Sequence, residues 1–273
     1  MKVTSEYKVK TFILPYLSVG KRGFKSKLDL VQVFLLILHR LKTGCQWREI
    51  YLNDYFNSDE VSWQSIYYYF NKWSRDGSFE RSWINLLSNH KHLLDLSTAQ
   101  LDGSHTPSKR GGEAVGYQGR KSCKTSNCLI ISDNNGLPIS IGEPQDGKHN
   151  DLFDINQIFG KMVDMLEESS VNLEGVFMNA DPGFDSQSFK QKCSEINIEI
   201  NIKPNTRGAK TNTDAYEYFD EELYDKNRYK VEQSNAWMDG FKGVIIRYEK
   251  LKKNWWSMLW LCITAIFLRK IKV

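Results

Sequence analysis

Hydrophobic positions follow two regimes along the 273-residue chain. Over the first third they recur at helical spacing, which predicts a small all-helical domain. Residues 28–42 are apolar nearly all round (Val31, Val33, Phe34, Leu35, Leu36, Ile37, Leu38), so this helix should be central to a core. Ser26 with Asp29 resembles a capping box at its start, and Gly44 closes it. A short turn over 47–50 and a polar loop over 53–60 lead to a helix over 62–75 that stops at Gly77. Trp63, Ile66, Phe70 and Trp73 form one stripe of that helix, and Gln64, Tyr68, Lys72 and Arg75 form the other. A last helix covers 79–87. The pattern fits a helix-turn-helix-like module whose polar-basic stripe meets DNA. It fits equally a plain bundle with a polar outer face.

From residue 98 the period changes. Short apolar runs over 98–101, 128–132, 137–141, 175–180 and 196–203 read as strands. The turn Asp133-Asn134-Asn135-Gly136 links the second and third as a hairpin. Helices are expected over 151–168 with Asp151 as its cap, over 187–195, over 230–241, and from Asn254 onward. Hairpin-linked strands followed by crossover helices imply a mixed sheet with helices on both faces. This is the strand order of the ribonuclease-H-like α/β fold. The expected division is a helical domain over 1–95 and a catalytic domain over 96–273.

Composition narrows the class. Hydrophobic residues are 41% and aromatics 13%, enough for a large core and incompatible with wholesale disorder. Net charge is only +4, but the charge is unevenly spread. Residues 1–27 carry seven Lys/Arg against one acid, 104–125 five against one, and 242–253 five against one, while 143–195 carry eleven acids against four bases. Basic stripes on a near-neutral chain suit a protein that grips a polyanion with chosen surfaces. Five cysteines without CxxC or Cys/His metal spacing read as reduced packing thiols of a cytosolic protein. The charged segment 1–10 is not followed by a long apolar run, so no secretory leader is expected. The apolar run 255–268 is 14 residues, short of the ~20 that span a bilayer, and reads as a buried helix.

Asp102 and Asp181 each follow an apolar strand and precede turn formers, Gly103 and Pro182-Gly183. If those strands are neighbours, the carboxylates converge and repel, and ionising both requires a cation. Glu232 falls in the first turn of a helix, away from Val231 and Trp237, which are assigned to the core face. Three hard oxygen donors with water completing the shell are what Mg²⁺ selects, with Mn²⁺ as its substitute. Two such ions about 4 Å apart can activate an attacking oxygen and stabilise a leaving one. Spacing alone does not choose these three among 33 acids.

The choice comes from resemblance. Leu101-Asp102-Gly103-Ser104-His105-Thr106, Asn179-Ala180-Asp181-Pro182-Gly183-Phe184-Asp185-Ser186 and Arg228…Glu232 resemble the three acidic motifs of DDE-type insertion-sequence transposases. Thr43-Gly44-Cys45-Gln46-Trp47-Arg48 and Tyr68…Phe70…Trp73…Gly77 resemble that family's N-terminal domain. The resemblance implies cleavage at the ends of a mobile element and attack of the freed 3′-OH on target DNA. Asp102, Asp181 and Glu232 would then be the metal ligands, with no covalent protein–DNA intermediate. It further implies double-stranded DNA as partner, a homodimer holding two ends, a nucleoid-associated cytoplasmic location, and neither membrane nor small-molecule substrate.

The family signature around the Glu is only partly kept. Arg228 and Glu232 fit, but the Tyr position holds Asp225, with Tyr224 one residue early, and the Lys position holds Asp239. Lys242, one helical turn on, is the expected replacement on the same face. Arg228 either orients Glu232, holds a phosphate or forms a surface ion pair. Lys109, Arg110, Arg120, Lys121 and Lys124, in a glycine-rich loop beside Asp102, are expected to contact DNA backbone. His105 and His149 are read as satisfied or exposed, because Mg²⁺ prefers oxygen. A nuclease of the same fold without strand transfer, and a DNA-binding protein with an inactive catalytic domain, are the alternatives.

Overall fold

The computed structural model describes residues 3–20, 28–56, 61–204 and 219–272. The chain begins with a helical turn, α1 (Glu6–Lys8), and reaches α2 (Leu30–Thr43). Asp29 caps α2, its carboxylate accepting from the Val31 amide at 2.8 Å, and Gly44 ends it with φ +69. The Ser26 half of the expected capping box lies outside the described residues. Helix α3 (Trp63–Arg75) and helix α4 (Ser78–His90) are joined at Gly77, whose φ of +73 a side chain would strain. Then come β1 (Thr98–Pro107), β2 (Gly116–Gln118), β3 (Cys123–Asp133), β4 (Pro138–Ile141) and β5 (Gln145–Asp146). The chain continues through α5 (Ile155–Glu168), β6 (Phe177–Ala180), α6 (Gln187–Glu195) and β7 (Glu199–Ile202). It finishes with α7 (Glu221–Asn227), α8 (Tyr229–Asp239), α9 (Lys242–Ile245) and α10 (Lys252–Lys270).

By contact the chain divides into two units: residues 1–90, 106–113 and 237–273, and residues 91–105 with 114–236. This differs from a single boundary at residue 95, because α10 buries itself among α2, α3 and α4. In that unit Val33, Phe34, Leu36, Ile37, Ile66, Phe70 and Trp73 are fully buried, as are Met258 and Ile263 of α10. Each such aliphatic or aromatic side chain contributes about 1.5–3 kcal/mol. The Trp83 ring sits 5.4 Å from Phe267 and ties α4 to α10. Asn254 does not cap α10. The helix starts earlier, at Lys252, and the Asn254 amide is buried and donates to Asn71 at 2.8 Å. No helix among the described residues is long and apolar enough to cross a membrane.

The second unit is built on a mixed sheet of seven strands, ordered β2-β3-β1-β6-β7 with β4 and β5 also paired to β3. The β3–β4 hairpin is antiparallel, while β1, β6 and β7 run parallel. This is a ribonuclease-H-like sheet accompanied by helices, and a helical region precedes it. The hairpin turn forms as expected. Asp133 accepts from the Asn135 and Leu137 amides at 2.9 and 2.8 Å, and Gly136 takes φ +74. Helix α5 packs on β4, where Gly142 leaves room for Ile158 and Met162. Several strand and helix limits differ from expectation, with β6 and β7 shorter and α4 longer. β1 and β3 are longer, α5 starts at Ile155 with Asp154 as its N-cap residue, and α7 is an additional helix.

Candidate active site

Parallel pairing sets the geometry. Leu101 of β1 lies opposite Ala180 of β6, so Asp102 and Asp181 follow side by side on adjacent strands, whose spacing is about 4.8 Å. Only Asp181 stands beyond a strand end, where Pro182 starts a single tight turn over Pro182–Phe184. Asp102 is inside β1, because pairing carries that strand on to Pro107 and overrides the turn-forming Asp102-Gly103 pair. Both carboxylates line one cavity of about 100 Å³ together with Glu232, Tyr224, Arg228 and Asn235. That volume has room for several water molecules.

Each aspartate has an orienting partner. Asn235 donates to Asp102 Oδ2 at 3.0 Å. Tyr224 Oη donates to Asp181 Oδ1 at 3.1 Å, and Arg228 donates to Tyr224 Oη at 3.0 Å while lying 3.6 Å from Asp181 Oδ1. Burial pushes the Asp102 carboxyl up to about 6; Asn235 opposes this, and the Asp181 charge adds to it. Burial, then the Asp181 charge, pushes the Tyr224 phenol up to about 12, so it stays a donor at neutral pH. Asp181 holds the Arg228 guanidinium above its ordinary range, with Glu232 adding to the effect. Glu232 itself is exposed. The buried positions of α8 are Ser234 and Met238, whereas Val231 and Trp237, expected in the core, are half-buried.

Beneath the pair, Gln100, Asn179 and Asn201 fall in one row across β1, β6 and β7. All three are buried, and Asn201 donates to Asn179 Oδ1 at 2.8 Å and to the Asp220 carbonyl at 3.0 Å. Asp151, expected to cap α5, instead lies against Gly103. A Cβ added at Gly103 would overlap its carboxylate, which Asn127 holds at 2.7 Å. The pair therefore has a fourth acid beside it. Sequence reasoning missed Asp151, Asn235 and the amide row. The usable signals were two glycines next to the acids and an Asn three residues after Glu232.

Among the described residues no three His, Cys, Asp or Glu side chains are gathered closely enough to hold one ion. Mg²⁺ is held in many sites by one or two carboxylates with water and phosphate completing the shell. The repelling Asp102–Asp181 pair, all oxygen and partly desolvated, fits that requirement. His105 is buried and bonded to Thr125 Oγ1 at 3.1 Å, and His149 stacks on Phe153 at 3.5 Å.

The remaining candidates are scattered. Gln64, Tyr68 and Arg75 are exposed on α3, whereas Lys72 donates to the Ser18 carbonyl at 2.9 Å. Lys109, Arg110 and Lys242 are exposed in the helical unit. Arg120, Lys121 and Lys124 are exposed in the sheet unit, with Lys121 donating to the His105 carbonyl at 2.8 Å. The glycine-rich segment is not a free loop, since it contains β2 and a short turn over Gly119–Lys121. Lys242 does not share a helical face with Asp239: α8 ends at Asp239, and Phe241 is extended before α9 starts.

Residues 9–83 match the family described as "Putative transposase of IS4/5 family (DUF4096)". The match bears out, over that segment, the resemblance to insertion-sequence transposases. No curated protein matches the chain. Among solved structures the chain is similar to a piggyBac transposase synaptic complex with hairpin DNA, at 10% identity and TM-score 0.49, covering 95% of this chain and 70% of that one. It is also similar to a pre-cleavage Mos1 transpososome, at 11% identity and TM-score 0.29, covering 93% and 81%. A Mos1 mariner paired end complex with Mn matches at 12% identity and TM-score 0.30, covering 95% and 83%.

Proposed function

We propose that the chain is a DNA transposase that cuts at the ends of a mobile element and joins the resulting 3′-OH to target DNA. The observation that carries this reading is one cavity lined by Asp102, Asp181 and Glu232, the first two each following the last paired residues, Leu101 and Ala180, of two parallel strands. The family match of residues 9–83 supports it from the other part of the chain.

Asp102 and Asp181 would hold Mg²⁺, or Mn²⁺ in its place, with the exposed Glu232 as a third acid lining the same cavity rather than gathered onto the same ion. Such an ion would supply positive charge for the phosphoryl oxygens and make a water a better nucleophile. Asn235 keeps Asp102 facing the cavity, and Tyr224 does the same for Asp181. Arg228, with half its side chain exposed, donates to Tyr224 and keeps other N–H groups for a DNA phosphate. No Ser, Cys or Tyr is needed as a covalent nucleophile, because water and then the 3′-OH serve in turn. The exposed cations Lys109, Arg110, Arg120, Lys121, Lys124 and Lys242, with the α3 face, would grip DNA backbone. Two copies would hold two ends.

The test is joining of a labelled duplex carrying a 3′-OH, taken from the DNA flanking the gene, to supercoiled plasmid. Joining that requires Mg²⁺ and is lost in Asp181→Asn supports the reading. Nicking without joining would make the protein a nuclease. Binding with neither would leave only a DNA-binding role.

A further inference from the structure

The segment Thr43-Gly44-Cys45-Gln46-Trp47-Arg48 takes no part in the carboxylate site. Its last five residues instead form one wall of a cavity of about 440 Å³ inside the helical unit. Small-ligand pockets span roughly 300–1,000 Å³. Arg40, Trp47, Arg48, Trp63, Tyr67 and Arg110 are the principal lining groups. The Trp47 ring lies 5.1 Å from Tyr67 and 4.8 Å from Phe70, and Tyr67 lies 6.4 Å from Trp63. Trp47, Trp63 and Tyr67 are only half-buried, so part of their ring surface stays open. The wall is fixed by close packing: a Cβ at Gly44 would press on the Lys242 backbone at about 3.1 Å.

Charge adds to shape. Arg48 and Arg110 are exposed, while Arg40 is 5% exposed, sits 4.8 Å over the Trp47 ring and pairs with Glu249 at 2.8 Å. Three arginines against the single acid Glu249 select an anion, and the open rings select a planar π system. A nucleotide has both.

We propose that this cavity takes one unpaired base of bound DNA, stacked on the Trp47–Tyr67 rings, with Arg48 and Arg110 on its flanking phosphates. This rests on DNA being the partner. A base in an intact duplex has both faces covered, and only one that leaves the stack can enter such a pocket.

The test uses the full chain at fixed salt and three labelled duplexes, fully paired, with one bulged base, or with an abasic site at the bulge, read by fluorescence anisotropy. The bulged base should bind about tenfold tighter than the other two, the gain of one base on an aromatic platform. Tyr67→Ala should erase that preference and leave the paired duplex unchanged, and Tyr67→Phe, which keeps the ring, should restore it. With 2-aminopurine in the bulge, protein binding should quench its emission in wild type and not in Tyr67→Ala. Equal affinity for all three duplexes, with the paired one bound, overturns the pocket and spares the DNA reading. Failure to bind any duplex overturns both. Tyr67-dependent binding of a deoxynucleoside monophosphate, with no preference among the duplexes, assigns the pocket to a free nucleotide and overturns the DNA-borne base.

Discussion

Replacing Asp102 by Asn probes the charge that the fold holds against its own interest. The carboxyl is pushed up to about 6 from an ordinary 3.8, by burial first, with the Asp181 charge adding to it. At 1.36 kcal/mol per pH unit, that gap is about 3 kcal/mol. The folded value is the higher one, so between these pH values the folded chain keeps a proton that the unfolded chain has lost. Stability therefore falls as pH rises through this window, and the whole cost is present above about pH 6. The carboxamide of Asp102→Asn would carry no charge, and its oxygen could still accept from Asn235, which now donates at 3.0 Å. In EDTA at about pH 8, urea unfolding of Asp102→Asn should show stability raised by up to about 3 kcal/mol. The difference should vanish near pH 4. Millimolar Mg²⁺ should stabilise the wild type and leave the variant unmoved. If the variant is no more stable than wild type in EDTA at about pH 8, or if Mg²⁺ stabilises both alike, the repelling-pair argument fails.

Asn201→Ala removes the donor to Asn179 and to the Asp220 carbonyl and leaves the buried amide row incomplete. It should cost about 1–3 kcal/mol, read as a lower urea midpoint at unchanged m. Gly103→Ala would drive a methyl into the Asp151 carboxylate and should reduce DNA joining at least tenfold. Gly183→Ala, where a Cβ would meet Asp151 Oδ2 only at 4.0 Å, should stay near wild type in the same assay.

The sequence was most legible where one physical signal dominated. Helix α2 announces itself by the apolar run from Val33 to Leu38 and a terminal glycine, and the β3–β4 turn by Asp133 and Gly136, because both are local. Helix α7 offers no apolar stripe. Its signal was Asp220 capping the Leu223 amide at 2.8 Å, with Glu221 and Glu222 in the first turn. The extension of β1 through Asp102 depends on its neighbours in the sheet, which no local pattern carries. The apolar run of α10 predicted burial correctly but could not say against what, and so the division at residue 95 missed its place with the N-terminal helices. At the site, the resemblance selected acids that line one cavity. Asp151 escaped because its role depends on the emptiness of Gly103, and Asn235 because a carboxamide on a polar helix face has no signature of its own.

Electron paramagnetic resonance of Mn²⁺ tests the carboxylate site most directly. The full chain, titrated with Mn²⁺ in the presence of duplex DNA, should silence the free-ion signal for at least one ion per chain. Asp102→Asn and Asp181→Asn should each release it, while Glu221→Gln, on the exposed start of α7, should not. Equal Mn²⁺ uptake by wild type and both aspartate variants would contradict the account.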